Sequence, residues 1–173
     1  MALSKIDAAN FLTGTIPQGN VANASLGAVT ALPAAIPTGK VLQIVMGTTG
    51  TQTTNGTNDW LDTSLTVNIT PSSSSSKVYI AVSQNEVYTT SSNVGVSLRL
   101  LRGSTSICQF ANYVSYSSAD DFNGESCNFL DTPSTTSALT YKIQFKPSGG
   151  NATIKAQSNN GVSTITVMEI AGW

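Results

Sequence analysis

Apolar and polar side chains alternate along most of the chain after residue 40, and this alternation constrains the fold more than any other feature. In residues 64–70, Leu65, Val67 and Ile69 alternate with hydroxyl and amide residues. A repeat of two places the apolar side chains on one face of a strand, whereas a helix needs a repeat near 3.6. The same alternation recurs in residues 78–82, 94–100 and 140–146. The pattern predicts an all-β, antiparallel sandwich or jelly roll of about eight to ten strands.

The last alternating segment, residues 164–170, differs from the others because both of its faces are partly apolar. A strand that is covered on both sides needs apolar residues on both faces, which is typical of the interior of a sheet. We therefore expect this segment to be a central strand. Residues 40–46 open the set of strands with a further apolar segment.

Residues 1–38 lack the alternation altogether. They hold three of the six prolines, and their large apolar residues are isolated from one another. Such a segment buries too little apolar surface to offset the entropy of ordering itself. We therefore expect an extended N-terminal arm at 1–38, lying against its own domain or a neighbouring subunit, and a β domain at 39–173.

The polar positions of the predicted strands are mostly hydroxyl residues rather than charged ones. Ser and Thr number 23 each, about 27% of the 173 residues, while charged residues make up 10% and the net charge is −1. Small uncharged side chains lose water at low cost, and identical copies that carry them do not repel each other around a symmetry axis. This composition favours a homo-oligomer.

Several functional classes are disfavoured by what the sequence lacks. The chain contains no histidine, which removes Ser-His-Asp and Cys-His nucleophiles and the usual zinc and non-haem iron sites. We expect no enzymatic activity and no cofactor. Without a basic cluster we expect no nucleic-acid partner. No apolar stretch approaches the roughly 18 residues that span a bilayer, and no secretory h-region follows Met1, so we expect no membrane insertion and synthesis in a cytoplasm.

The carboxylates and the cysteines leave two questions open. Asp120, Asp121, Glu125 and Asp131 form an acidic cluster whose oxygen atoms could hold calcium, but the segment lacks a D-x-D-x-D-G loop, which favours a solvated loop. Cys108 and Cys127 lie 19 positions apart and form no C-x-x-C unit. Two buried free thiols are expected in a reducing cytoplasm, and a disulfide remains open.

The segment 112–125 is the longest part of the β domain without clean alternation. It concentrates aromatic, carboxylate and amide side chains: Tyr113, Tyr116, Asp120, Asp121, Phe122 and Asn123. Aromatic faces cover the C–H groups of a sugar, and carboxylates and amides bind its hydroxyls. We therefore predict that these six residues form a host-recognition loop. The alternative, in which the rings are core or inter-subunit contacts, stays open.

Several segments of the β domain carry a resemblance to a known family. They are the D-x-P-x-T-T-S-x-x-x-Y segment that begins at Asp131, the ending S-T-I-T-V-M-E-I-A-G that begins at Ser163, and residues 39–45, 69–78 and 103–107. Together they resemble the C-terminal domain of tail-fibre-like structural proteins of marine and other environmental bacteriophages. The resemblance covers about residues 39–172, and residues 11–38 resemble the linker upstream of that domain.

This resemblance implies a homotrimeric virion protein with a jelly roll similar to the heads of tumour necrosis factor and C1q. The expected function is that of a short fibre or receptor-binding protein, which is docked to the capsid or tail through residues 1–38 and binds a host surface glycan. Two alternatives are a capsid decoration (cement) protein and a free carbohydrate-binding module. The sequence does not decide between fibre and decoration.

Overall fold

The computed structural model describes residues 40–116 and 119–172. The predicted arm at residues 1–38 lies outside the described residues. Among those described, no helix is long and apolar enough to cross a membrane.

Ten strands make up the described part of the chain, in agreement with the eight to ten predicted. They are β1 (Val41–Thr49), β2 (Thr53–Asn55), β3 (Leu61–Ile69), β4 (Lys77–Thr89), β5 (Gly95–Arg102), β6 (Thr105–Val114), β7 (Phe122–Asp131), β8 (Leu139–Ser148), β9 (Ile154–Ala156) and β10 (Ser163–Ile170). A short 3-10 turn, Ser158–Asn160, precedes β10.

The strands form two antiparallel sheets. In sheet A, β10 lies between β1 and β4, β7 pairs with the opposite edge of β4, and the short strands β9 and β2 extend the sheet beyond β10. Sheet B has the order β3-β8-β5-β6. The eight long strands repeatedly pass from one sheet to the other, which is the connectivity of a jelly roll. The prediction of an antiparallel jelly roll is confirmed, and so is the central position of β10.

The core lies between the two sheets and consists of the side chains that the alternation assigned to the inner faces. They include Leu65, Val67, Ile69, Val78, Ile80, Val82, Leu98, Tyr141, Ile143, Phe145, Ile165 and Val167, all buried. Burying a side chain of this kind stabilises a fold by roughly 1.5–3 kcal/mol. The alternation therefore fixes which face of each strand points outward, and only the outward faces and the loops remain for function.

A glycine brings the two sheets together at one edge. A Cβ atom on Gly47 of β1 would lie 2.0 Å from the carbonyl oxygen of Thr66 in β3. Only glycine permits so close an approach of two backbones. Any larger residue at position 47 would push β1 away from β3 and open the sandwich.

The two cysteines face each other from the interiors of β6 in sheet B and β7 in sheet A. The Sγ atoms of Cys108 in β6 and Cys127 in β7 are 3.9 Å apart, and both thiols are free in this structure. Burial, together with the neighbouring Cys108, raises the pKa of Cys127 to about 11. Cys127 is buried and Cys108 is half-buried.

Candidate recognition surface

The segment predicted as the recognition loop ends β6, crosses from sheet B to sheet A, and begins β7. Tyr113, Ser115 and Asp120 adopt left-handed backbone conformations, with φ values of 62°, 59° and 63°. Non-glycine residues rarely adopt positive φ, and each such residue breaks the alternation of a strand. These turns explain the irregular sequence of the segment.

Tyr113 and Tyr116 form one of two aromatic clusters at this end of the molecule. Their ring centroids are 5.1 Å apart in an edge-to-face arrangement, and both rings are exposed. The backbone N–H of Tyr113 donates a hydrogen bond of 3.2 Å to Oγ of Ser148, and both rings lie against Gly149. This pair therefore stands against the turn that follows β8.

Phe122 belongs to a second cluster, on sheet A. Its ring centroid lies 4.9 Å from that of Tyr88, whose hydroxyl donates a hydrogen bond to the carboxylate of Asp120. That hydrogen bond raises the pKa of Tyr88. The ammonium of Lys155 lies 5.3 Å from the centre of the Tyr88 ring. Asp120 and Phe122 thus both contact Tyr88 of β4.

Asp121 and Asn123 form hydrogen bonds within the loop. The side-chain amide of Asn123 donates to the Asp121 carboxylate at 2.7 Å and to Oγ of Ser115 at 2.9 Å. The structure therefore pairs Tyr113 with Tyr116 and Asp121 with Asn123, and it places Asp120 and Phe122 on Tyr88. The contacts of the six residues thus fall into three groups, and their role in host recognition stays a prediction.

The acidic cluster is divided as well. Asp131 is buried, accepts two hydrogen bonds from Arg102 at 2.8 and 2.9 Å, and accepts a third from the Tyr141 hydroxyl at 2.6 Å. It therefore ties β7 of sheet A to β5 and β8 of sheet B, and the expectation of a solvated loop is wrong for this residue. In the ranges the structure describes, no three acidic or cysteine side chains gather as a metal site would require.

A polar pocket of about 490 Å³ opens beside Tyr113, on the outer face of sheet B. Its lining includes Asn58, Ser97, Gln109, Asn112, Lys146 and Ser148. We call it the Lys146 pocket. The sequence analysis missed most of these residues because they look like the ordinary polar face of a strand, and only the fold brings β5, β6 and β8 together.

Two cationic side chains, those of Arg99 and Lys146, lie over the ring of Trp60 at the border of the pocket. The guanidinium of Arg99 lies 4.2 Å and the ammonium of Lys146 lies 5.1 Å from the centre of the Trp60 ring. The guanidinium also donates to Oε1 of Gln144 at 3.0 and 2.6 Å. The ion pairs found in residues 40–116 and 119–172 are Arg102–Asp131 and Lys142–Asp62, so neither Arg99 nor Lys146 is paired with a carboxylate there.

The outer face of sheet A is different in kind. The register of the strands places Ile44, Met168, Tyr79 and Leu130 side by side across β1, β10, β4 and β7. We call this set the apolar row. Ile44 and Leu130 are 60% and 50% exposed.

Two further rows lie parallel to the apolar row. The next one reads Met46, Thr166, Ala81 and Asn128, and the one after that reads Thr48, Thr164, Ser83 and Ser126. Met46 is 62% exposed. None of the twelve side chains in the three rows is charged. The three rows are thus composed of apolar and hydroxyl side chains and one amide, and the composition led us to expect such an uncharged surface where identical copies meet.

Comparisons with known proteins add little to this geometry. No family model matches the chain, and no curated protein matches it. Among solved structures, the chain is similar to the infectious bursal disease virus VP2 subviral particle, with a TM-score of 0.45 and 11% identity over 76% of this chain and 39% of that chain. It is also similar to a structure of the infectious bursal disease virus Gx strain, with a TM-score of 0.40 and 12% identity over 76% of this chain and 37% of that one.

The chain therefore spans about two fifths of the length of these solved structures. The jelly-roll fold follows from the order and pairing of the strands in the two sheets.

Proposed function

We propose that the chain is a non-enzymatic structural protein of a bacteriophage virion, a homotrimeric short fibre or receptor-binding protein that docks to the particle through residues 1–38. The apolar row on the outer face of sheet A is the observation that carries the proposal. The resemblance of residues 39–172 to tail-fibre C-terminal domains supports it independently.

The apolar row favours burial in an assembly. A soluble monomer rarely exposes a continuous apolar patch larger than a few hundred Å², and larger patches are typical of protein contacts. Ile44, Met168, Tyr79 and Leu130 are neighbours on four adjacent strands rather than scattered positions. Their burial against a partner would remove apolar surface from water at roughly 25 cal/mol per Å².

The rows beside the apolar row favour a second and third copy of the same chain as the partner. Residues close to a rotation axis meet their own copies, so a like charge there repels itself. Thr48, Thr164, Ser83 and Ser126 are uncharged and small. They would let the β1-β10-β4-β7 faces of three copies approach closely around a three-fold axis.

Residues 1–38 are assigned to attachment. Their aperiodic, proline-containing sequence contributes little to a core of its own, and capsid or tail proteins are the partners that it would bind. The localisation that follows is the virion, after synthesis in the cytoplasm of the bacterial host.

The copy number of the chain in purified virions tests this proposal. Quantitative mass spectrometry against the major capsid protein should give tens of copies per particle for a fibre. Hundreds of copies would instead identify a capsid decoration protein, and a chain absent from particles would overturn the virion assignment. In particles assembled with a chain that lacks residues 1–38, we expect the protein to be missing while the rest of the virion is intact.

A further inference from the structure

We propose that the Lys146 pocket binds an acidic saccharide, with the anionic group of the sugar beside the Lys146 ammonium. This inference rests on the proposed function, because it names the class of host glycan that a receptor-binding protein of this kind would recognise. It shifts the recognition site from the loop predicted by sequence to the neighbouring face of sheet B.

The size and polarity of the pocket fit a saccharide. Its volume of about 490 Å³ lies within the roughly 300–1,000 Å³ of small-molecule sites. Most such sites are lined by apolar side chains, whereas amides, hydroxyls and backbone of the Gly149–Gly150 turn line this one. A ligand that matches it must itself present hydroxyl groups over most of its surface.

Hydrogen-bonding groups in the pocket remain available to a ligand. Oγ of Ser97 donates to Oδ1 of Asn112, which leaves the amide nitrogen of Asn112 without a partner among the described residues. The exposed side chain of Gln109 makes no hydrogen bond to any of them. An amide offers both donors and an acceptor, so it can bind the paired hydroxyls of a sugar ring.

The charge at the pocket selects an acidic sugar over a neutral one. Lys146 is the charged residue among the described lining residues, and the contact with Trp60 holds its ammonium in place. The nearest acidic group in β3, Asp62, is already bound by Lys142 at 2.8 Å and by Gln144 at 2.7 Å. Arg99 and Lys146 thus bring two positive charges to the border of the pocket, and no carboxylate in the described ranges pairs with either.

The exposed tyrosines give the site an aromatic wall. Tyr113 lines the pocket, and the Tyr116 ring packs edge-on against it. A sugar that lies over such a ring covers its C–H groups while its hydroxyls face the amides. Of the six loop residues predicted by sequence, Tyr113 thereby lines the proposed site, and Tyr116 contacts it from outside the lining.

Titrations of the isotope-labelled full chain followed by NMR test the proposal. The probes are trisaccharides that contain glucuronate, galacturonate or N-acetylneuraminate, with maltotriose as the neutral control and inorganic phosphate at the same ionic strength as the control for simple anion binding. We expect at least one acidic trisaccharide to shift the backbone amides of residues 109–113 and 146–150. Maltotriose should bind at least tenfold more weakly. Shifts caused equally by phosphate would show a plain anion site and overturn the saccharide assignment.

Three variants localise the effect. Lys146→Met removes the charge and keeps an unbranched apolar side chain, and Gln109→Ala removes an exposed amide without breaking a hydrogen bond to a described residue. Each should weaken binding of the acidic trisaccharide about tenfold or more. Lys155→Met, in β9 of sheet A and outside the lining, removes the same charge and should leave binding unchanged. Equal effects of Lys155→Met and Lys146→Met, or no shift with any acidic probe, would overturn the proposal.

The result of the saccharide titration can be distinguished from the result of the copy-number measurement on virions. Binding by a chain that is absent from virions would favour a free carbohydrate-binding module and leave the pocket assignment intact. A chain that is present in virions but binds none of the acidic probes would retain its structural role and lose the pocket assignment.

Discussion

The outer faces of sheets A and B are built on the same alternating strands and carry opposite chemistry. Sheet A presents the apolar row and two uncharged rows beside it. Sheet B presents Asp62, Lys142, Arg99 and Lys146, with Trp60 under two of these cations. The inner faces of both sheets pack into the same core, so the core does not account for the difference between the outer faces. We attribute this difference to what each outer face contacts outside the molecule.

The placement of the carboxylates shows the same contrast. In sheet B, Asp62 lies on the outer face and pairs with Lys142. In sheet A, Glu169 of β10 is fully buried, where the Ser72 backbone N–H and hydroxyl donate to it at 2.7 Å each and the Gln43 amide donates at 2.6 Å. Glu169 thus keeps its charge in the interior and hydrogen-bonded, while the three rows on the outer face of sheet A carry no charge.

The largest effect is expected from a charge introduced into the apolar row. Ile44→Glu would place three carboxylates in the proposed contact, and their desolvation and repulsion should dissociate the assembly completely. Size-exclusion chromatography with light scattering measures the change. The matched control is Leu61→Glu, at a 42% exposed leucine in β3 of sheet B. If the two variants had the same oligomeric state, the contrast between the faces would have no bearing on assembly.

A smaller effect is expected from the buried carboxylate. Burial alone would raise the pKa of Glu169, but the hydrogen bonds from Gln43 and Ser72 outweigh burial and lower it from 4.5 to about 2. The folded state therefore binds the proton less readily than the unfolded state does. The stabilisation is fully present above about pH 5 and is lost as the pH falls towards 2.

Glu169→Gln tests this assignment through unfolding in denaturant. At pH 7 we expect the free energy of unfolding to fall by roughly 1–3 kcal/mol, because charged hydrogen bonds are replaced by weaker neutral ones. Between pH 5 and 2 the variant should lose less stability than the wild type. A variant with wild-type stability at pH 7 and the same pH dependence would show that the buried carboxylate contributes nothing.

The smallest effect is expected on the outer face of sheet B. Lys142→Met removes the ion pair with Asp62, which is partly exposed on both sides. Exposed pairs contribute roughly 0.2–1 kcal/mol, and salt screens them. We expect a loss of unfolding free energy below about 1 kcal/mol that disappears in high salt. A larger loss of unfolding free energy that salt does not reduce would contradict this expectation. It would mean that the Lys142–Asp62 pair stabilises sheet B as strongly as Glu169 stabilises sheet A.

The alternation of apolar residues was sufficient to predict the fold because it directly reports which side of each strand is buried. Leu65, Val67 and Ile69 alternate in the sequence and are buried in the structure, and the apolar character of both faces of β10 correctly indicated a central strand. The order of the strands within each sheet required the structure, because pairings such as β1 with β10 join residues far apart in the chain.

The site could be predicted only in part. Tyr113 and Tyr116 stood out because they interrupt the alternation, and they do lie together. Ser97, Gln109 and Lys146 gave no signal, because each is an ordinary polar residue of a strand and the pocket exists only where three strands converge. Asp131 appeared to belong to a loop, whereas its carboxylate is fixed by Arg102 and Tyr141 from the opposite sheet.

The absolute mass of the full chain in solution shows whether the apolar row is buried between copies. We expect light scattering at micromolar concentration to give a closed assembly of three 17.9 kDa chains, about 54 kDa. The mass should stay constant on tenfold dilution, because the uncharged face of sheet A is buried within a closed ring. A stable mass of 17.9 kDa at the same concentration would show that three copies do not assemble through the apolar row.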